Sequence, residues 1–219
     1  MLITLLLILL FPVSHDYAFE QYSKTFTIAS DTHKLSVPIQ QIPDLNNYFS
    51  SYSSSEKAVE LKRIHAESFE TKDHSIFFII SYNCGNKRCD NLLLKQKGDS
   101  LQSTFLIESS IVTNFLLSPD HSKLLIQFGR NEGNLVLRSS LAVLRTDDLA
   151  LLSSPSTNRG FYYETIFGQS FTLPLYKSTW IDSSTVEVTI PDLKHVSYEQ
   201  LLAWQSESQK KKTLSFSFP

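Results

Sequence analysis

Six glycines in 219 residues leave little material for loops that wrap phosphate. Such loops need several, because backbone N–H groups close on an anion only where no Cβ intervenes, and no Gly-rich loop ending in Lys-Ser or Lys-Thr occurs. Also missing are a Gly-x-Ser-x-Gly elbow to expose a serine nucleophile and a His-Glu-x-x-His helix to hold zinc. A formal net charge of -2 removes any general pull toward nucleic acid or anionic lipid, so nucleic acid is not an expected partner. The histidines (His15, His33, His65, His74, His121, His195) stand singly, mostly beside charged or turn residues, and read as solvated side chains. Asp147-Asp148 reads as a turn, where adjacent acids cap backbone N–H groups. These patterns lead to no expected catalytic residue, metal site or cofactor.

Long apolar runs are missing beyond residue 20. The one before it, residues 2–13, is broken by Pro12 and followed by Ser14, His15 and Asp16. As helix it would rise ~18 Å against a hydrocarbon core of ~30 Å, which fits the apolar centre of a signal peptide and not a span. A signal peptide over residues 1–18, cleaved after Ala18, is therefore expected, with an uncleaved anchor or a buried first strand as alternatives. The remaining domain, 19–219, is then secreted or held in the cell envelope, with no transmembrane span.

Cysteine occurs twice, as Cys84 and Cys89 in Ser81-Tyr-Asn-Cys-Gly-Asn-Lys-Arg-Cys-Asp-Asn91. Four intervening residues are too many for a Cys-x-x-Cys redox centre, and two sulfurs with His74 alone nearby fall short of a four-ligand zinc site. Strand-like residues 76–82 and 91–95 flank the pair, and Gly85-Asn86 tolerates the backbone of a tight turn. The spacing thus favours a disulfide across a hairpin tip, which export would allow to oxidise.

What is abundant is aromatic: fifteen Phe and nine Tyr, residues that pack well on pleated, half-buried surfaces. Strand-like segments fall at 26–28, 35–39, 76–82, 91–95, 105–107, 111–117, 124–128, 135–137, 141–145, 161–166, 171–176, 186–190 and 214–218, with turn residues between most of them. The fold class is mainly β and antiparallel. Ser197-x-x-Gln200 opens one short helix near the C terminus, burying Leu201, Leu202 and Trp204, and Ser53-x-x-Glu56 is a second helix start, running to about Ala66. A hairpin over 22–42 and a mobile serine-rich loop over 46–55 precede the main body.

Residues 75–82 with 91–95 parallel residues 123–130 with 141–145, at an offset of about 50 residues, and a poorer third copy begins at Thr185. Together with Leu117-Ser-Pro-Asp-His-Ser-Lys-Leu-Leu-Ile-Gln-Phe128 and Leu144-Arg-Thr-Asp-Asp-Leu149, this resembles blades of a TolB-like or WD-repeat-type β-propeller over residues 74–192. The resemblance implies a small or incomplete propeller; a β-sandwich is the alternative. His121 stands where that family has glycine at the turn, a position that needs tolerance of positive φ. Too few blades would leave sheet edges open, which self-association would cover.

Two features suggest binding. Asn86, Lys87 and Arg88 present cations on a stapled, pre-ordered tip, where a partner loses little ordering entropy. Solubility alone also accounts for such a pair. Lysines 210–212 suit a helix C terminus, and Phe161-Tyr162-Tyr163 reads as a cross-strand core cluster or a pocket lining. The expected function is an exported, non-catalytic domain binding a protein or a cell-envelope partner. The rivals are a hydrolase-like enzyme with a site gathered from distant loops and a structural subunit of an oligomer.

Overall fold

The computed structural model describes residues 25–131, 137–155, 160–207 and 209–219. The expected signal peptide lies outside them, as do most of the turn at 131–134 and Asn158-Arg159. The chain is mainly β and antiparallel, as its composition implies. A first hairpin, β1 (Thr25–Ala29) and β2 (Lys34–Pro38), leads into helices α1 (Pro43–Ser50) and α2 (Ser54–Leu61). A six-stranded meander follows: β3 (His65–Glu70), β4 (Ile76–Tyr82), β5 (Cys89–Lys97), β6 (Ser100–Leu117), β7 (Lys123–Asn131) and β8 (Leu137–Arg145). Helix α3 (Phe161–Phe167), strands β9 (Lys177–Trp180) and β10 (Thr185–Pro191), helix α4 (Tyr198–Ser206) and strand β11 (Lys211–Ser217) complete it, with β11, β10 and β9 forming a separate sheet.

Strand β6 shapes the molecule. Its first part pairs with β5, from Lys97↔Ser100 to Cys89↔Ser110, and its second with β7, from Ile111↔Gly129 to Leu117↔Leu124. Were it straight, Ser100 and Leu117 would stand about 55 Å apart. Yet Ser100 and Asp120, just past its end, line one cavity. The strand therefore turns a corner, at register shifts beside Ser109, whose φ of 49° is left-handed. Asn91, fully buried, holds that corner: its amide donates to the Ser110 Oγ (3.0 Å) and the Cys89 carbonyl (3.1 Å), and its own oxygen accepts from Ser81. The six strands curl into a half-barrel, and β3–β5 fold over β7–β8.

This curl explains the unbroken apolar runs. Phe77, Ile79 and Leu93 face inward onto Leu124, Ile126, Phe128 and Leu144. The alternate residues Phe78, Ile80, Leu92 and Leu94 face outward, where Phe26, Ile28, Leu35, Leu45 and Phe49 of the N-terminal elements cover them. Leu125, Leu141 and Val143 likewise face outward beneath Tyr163, Ile166, Val186, Val188, Trp204 and Phe216. Strands buried on both faces lose the alternating pattern. The two similar hairpins of the sequence are β4-β5 and β7-β8; they lie in one continuous strand order joined by β6.

Several expectations are corrected. The serine-rich loop at 46–55 is largely helical: Pro43 opens α1 with its φ preset, Leu45 and Phe49 are buried one turn apart, and a reciprocal capping box between Ser53 and Glu56 starts α2. Helix α2 ends at Leu61, short of Ala66, because residues 65–70 pair with β4 instead. Residues 161–166 are helix, not strand: Tyr163 and Ile166 share a buried face, and a Cβ on Gly168 would strike the Glu164 carbonyl oxygen, where α3 stops. Residues 171–176 form no ladder, meeting β8 only through Ser139↔Leu173. Four α-helices are described where two were expected. Lysines 211 and 212 cap no helix; they lie in β11, over the rings of Tyr176 and Tyr162, both at 4.2 Å. The helix expected at Ser197 is present as α4, with the Ser197 side chain accepting from the Gln200 N–H.

Candidate functional site

The hairpin tip is built as its sequence implies. Cys84 and Cys89 are disulfide-bonded with Cα atoms 4.1 Å apart. The Gly85 N–H donates to the Arg88 carbonyl (2.8 Å), closing the turn, and Asn83, at a left-handed φ of 51°, donates its amide to Asp90 (2.6 Å). The Arg63 guanidinium holds the Cys84 carbonyl from behind. Asn86 and Lys87 are exposed and Arg88 is half-buried. The tip presents charge on a turn closed by the disulfide.

A polar cleft lies at the opposite end of β4. Four turns meet there, two from each side of the folded meander, around a 470 Å³ cavity. Three lysines and three aspartates line it: Lys72, Lys95, Lys97, Asp73, Asp120 and Asp147. The acids are occupied within the protein. Asp73 accepts from Lys97 and Thr71 (both 2.6 Å) and from Ser75 (3.0 Å), and the Lys97 ammonium above all holds its carboxyl well below the usual carboxylate range. Asp120 accepts from Ser118 (2.7 Å) and from the Ser122 N–H and hydroxyl (3.1 and 2.9 Å); these bonds, Ser118 first, hold it below that range too. Asp147 takes the Asp148 N–H at 2.8 Å and stands 3.4 Å from Arg145.

The lysines divide differently. Lys97 is paired with Asp73, whereas Lys72 and Lys95 meet only carbonyl oxygens, of Pro119 (3.1 Å) and Asp147 (2.8 Å). Lys95 is only 8% exposed, with its ammonium 5.8 Å from the centre of the Phe77 ring. Both bonds cross from one side of the meander to the other and hold the cleft walls. His121, on the turn before β7, takes the left-handed φ (64°) expected of that position, and its carbonyl accepts from Thr146. Its Nδ1 is sealed from solvent with no hydrogen-bond partner. Among the described residues no cleft hydroxyl bonds His121 Nδ1.

The remaining polar cluster joins the β1–β2 turn to β3. Ser68 Oγ lies 2.9 Å from His33 Nδ1, and His33 Nε2 lies 3.7 Å from Glu70, which His74 also contacts at 2.7 Å. Ser68 additionally meets Ser30 (2.5 Å) and Thr32 (2.8 Å), so its hydroxyl is surrounded by partners that fasten the turn. Nothing in the sequence flags this group, because 35 residues separate His33 from Ser68. Nor does the sequence flag the cleft: its lysines sit on β5 and on turns that only the β6 corner brings together. The Ser-Pro-Asp-His turn and the Asp147-Asp148 turn are the parts visible beforehand. Comparison with protein-family models, curated proteins and solved structures yields no match. Among the described residues no helix is long and apolar enough to cross a membrane, and no group of three or more His, Cys, Asp and Glu residues is placed to hold a metal ion.

Proposed function

We propose that this chain is an exported, non-catalytic binding domain whose partner is a protein or a component of the cell envelope, and whose binding site is the polar cleft. The observation that carries this reading is the cleft itself: loops from both sides of the fold converge on a cavity with unspent hydrogen-bond donors. The disulfide and the signal-like residues 1–18 support an extracytoplasmic address. The hairpins β4-β5 and β7-β8 are read as two copies of a TolB-like blade unit fused through β6.

Export is tested by mass spectrometry of protein expressed from its own Met1 in cells with an intact secretory route. A product beginning near residue 19 and two hydrogens lighter than the reduced chain is expected; an intact chain with two free thiols in the cytosol refutes the address. Retention on isolated cell envelopes tests the site. Gln102→Trp, which places a bulky ring in the cleft, should abolish retention, while Lys87→Ser with Arg88→Ser should leave it; the reverse result moves the site to the tip.

A second reading, hydrolysis, has one observation in its favour: the Ser68–His33–Glu70 grouping. A fluorophosphonate probe decides it. No label on Ser68 is expected, because its oxygen is occupied by three neighbours, and labelling lost in His33→Ala would establish a hydrolase.

A further inference from the structure

We infer that the cleft takes a small hydrophilic molecule through an oxyanion, a phosphate, sulfate or carboxylate group, held between Lys72 and Lys95. The inference rests on the reading of the cleft as the binding site and assigns the chemistry of what enters. A lysine ammonium carries three donors, and each of these two spends one on a neutral carbonyl. Among the described residues neither cation has a carboxylate at salt-bridge distance, the cleft's ion pairs being Lys97–Asp73 and Arg145–Asp147. For Lys95 this matters most, because a charge largely withdrawn from water is costly unless an opposite charge meets it, and the Phe77 ring 5.8 Å away offsets only part of that cost.

The polar residues Ser100, Gln102 and Thr146 line the same cleft, which suits a polyhydroxyl body. A volume of 470 Å³ falls within the range of small-molecule sites, roughly 300–1,000 Å³, and exceeds what a bare inorganic ion fills. The alternative is that Lys72 and Lys95 serve only as cross-links between the cleft walls.

Calorimetric titration of the mature, oxidised protein separates the two. The probes are glucose 6-phosphate, glucuronate, inorganic phosphate and sulfate, with glucose as neutral control. At least one anionic probe is expected to bind and glucose not to. Lys72→Gln should weaken binding about tenfold, and Lys95→Met, which keeps the stem packed on Phe77, by at least as much. Should Lys95→Met fail to fold, Lys72→Gln decides alone, since its bond is at the surface. No heat with any anion overturns the inference, as does binding only to phosphatidate vesicles. Glucose binding as well as its phosphate, unaffected by Lys72→Gln but lost in Gln102→Trp, removes the anion and keeps the cleft. Anion binding untouched by Gln102→Trp removes both.

Discussion

Hairpins β4-β5 and β7-β8 look alike in sequence and are buried alike, yet they are covered from opposite ends of the chain. The first lies between the inner core and a layer from β1, β2 and α1; the second lies between the same core and α3, β10, α4 and β11. Among the described residues, only the first has a covalent clasp at its tip and a buried amide just inside that tip. A continuous apolar run therefore announces that both faces of a strand will be covered but carries no information about the cover.

The comparison is tested most severely by emptying each outer layer. Phe78→Ala removes a fully buried ring from the N-terminal layer and is expected to cost about 3–5 kcal/mol; Leu125→Ala, beneath the C-terminal layer, about 2–5 kcal/mol. Urea unfolding should show one transition for both, and two transitions in either variant would mean that the layers are separate units. Asn91→Ala takes the amide from the corner and strands the buried hydroxyl of Ser110, costing about 1–3 kcal/mol.

Replacing both Cys84 and Cys89 by alanine should cost about 2 kcal/mol, the loop-closure value for so short a ring, and leave the far-ultraviolet spectrum unchanged. A larger loss would make the clasp a support for the whole meander. The smallest effect concerns acid. Asp73 and Asp120 have folded pKa values depressed below the unfolded value of about 3.9, so their stabilisation is full above that pH and disappears as pH falls through the folded values. Stability should be flat from neutrality to about pH 5 and decline below about pH 4, less steeply in Asp73→Asn with Asp120→Asn. Both groups are near water, so the change is small.

Strand content was readable where β-branched and aromatic residues run together, as in Ile76–Tyr82, and the capping residues Ser53 and Ser197 marked two helix starts correctly. Residues 161–166 misled because tyrosine and phenylalanine favour strands in general, whereas here the packing of Tyr163 and Ile166 on β8 selects a helix, with Ser140 bonding the Ile166 carbonyl. The left-handed turn at His121 was foreseeable from its place in Ser-Pro-Asp-His-Ser. The cleft was not, because its parts are local only after Ser109 bends β6, and a bend at a serine has no signature of its own.

That bend has a consequence for how the molecule comes into being. One ribbon furnishes the pairing partner for its predecessor and its successor alike, so neither flank closes its ladder until residues 100–117 are in place. A polypeptide cut anywhere along that ribbon yields two pieces with a raw margin each, and a chain threaded through a membrane pore stays unfinished until the last of those eighteen residues has emerged.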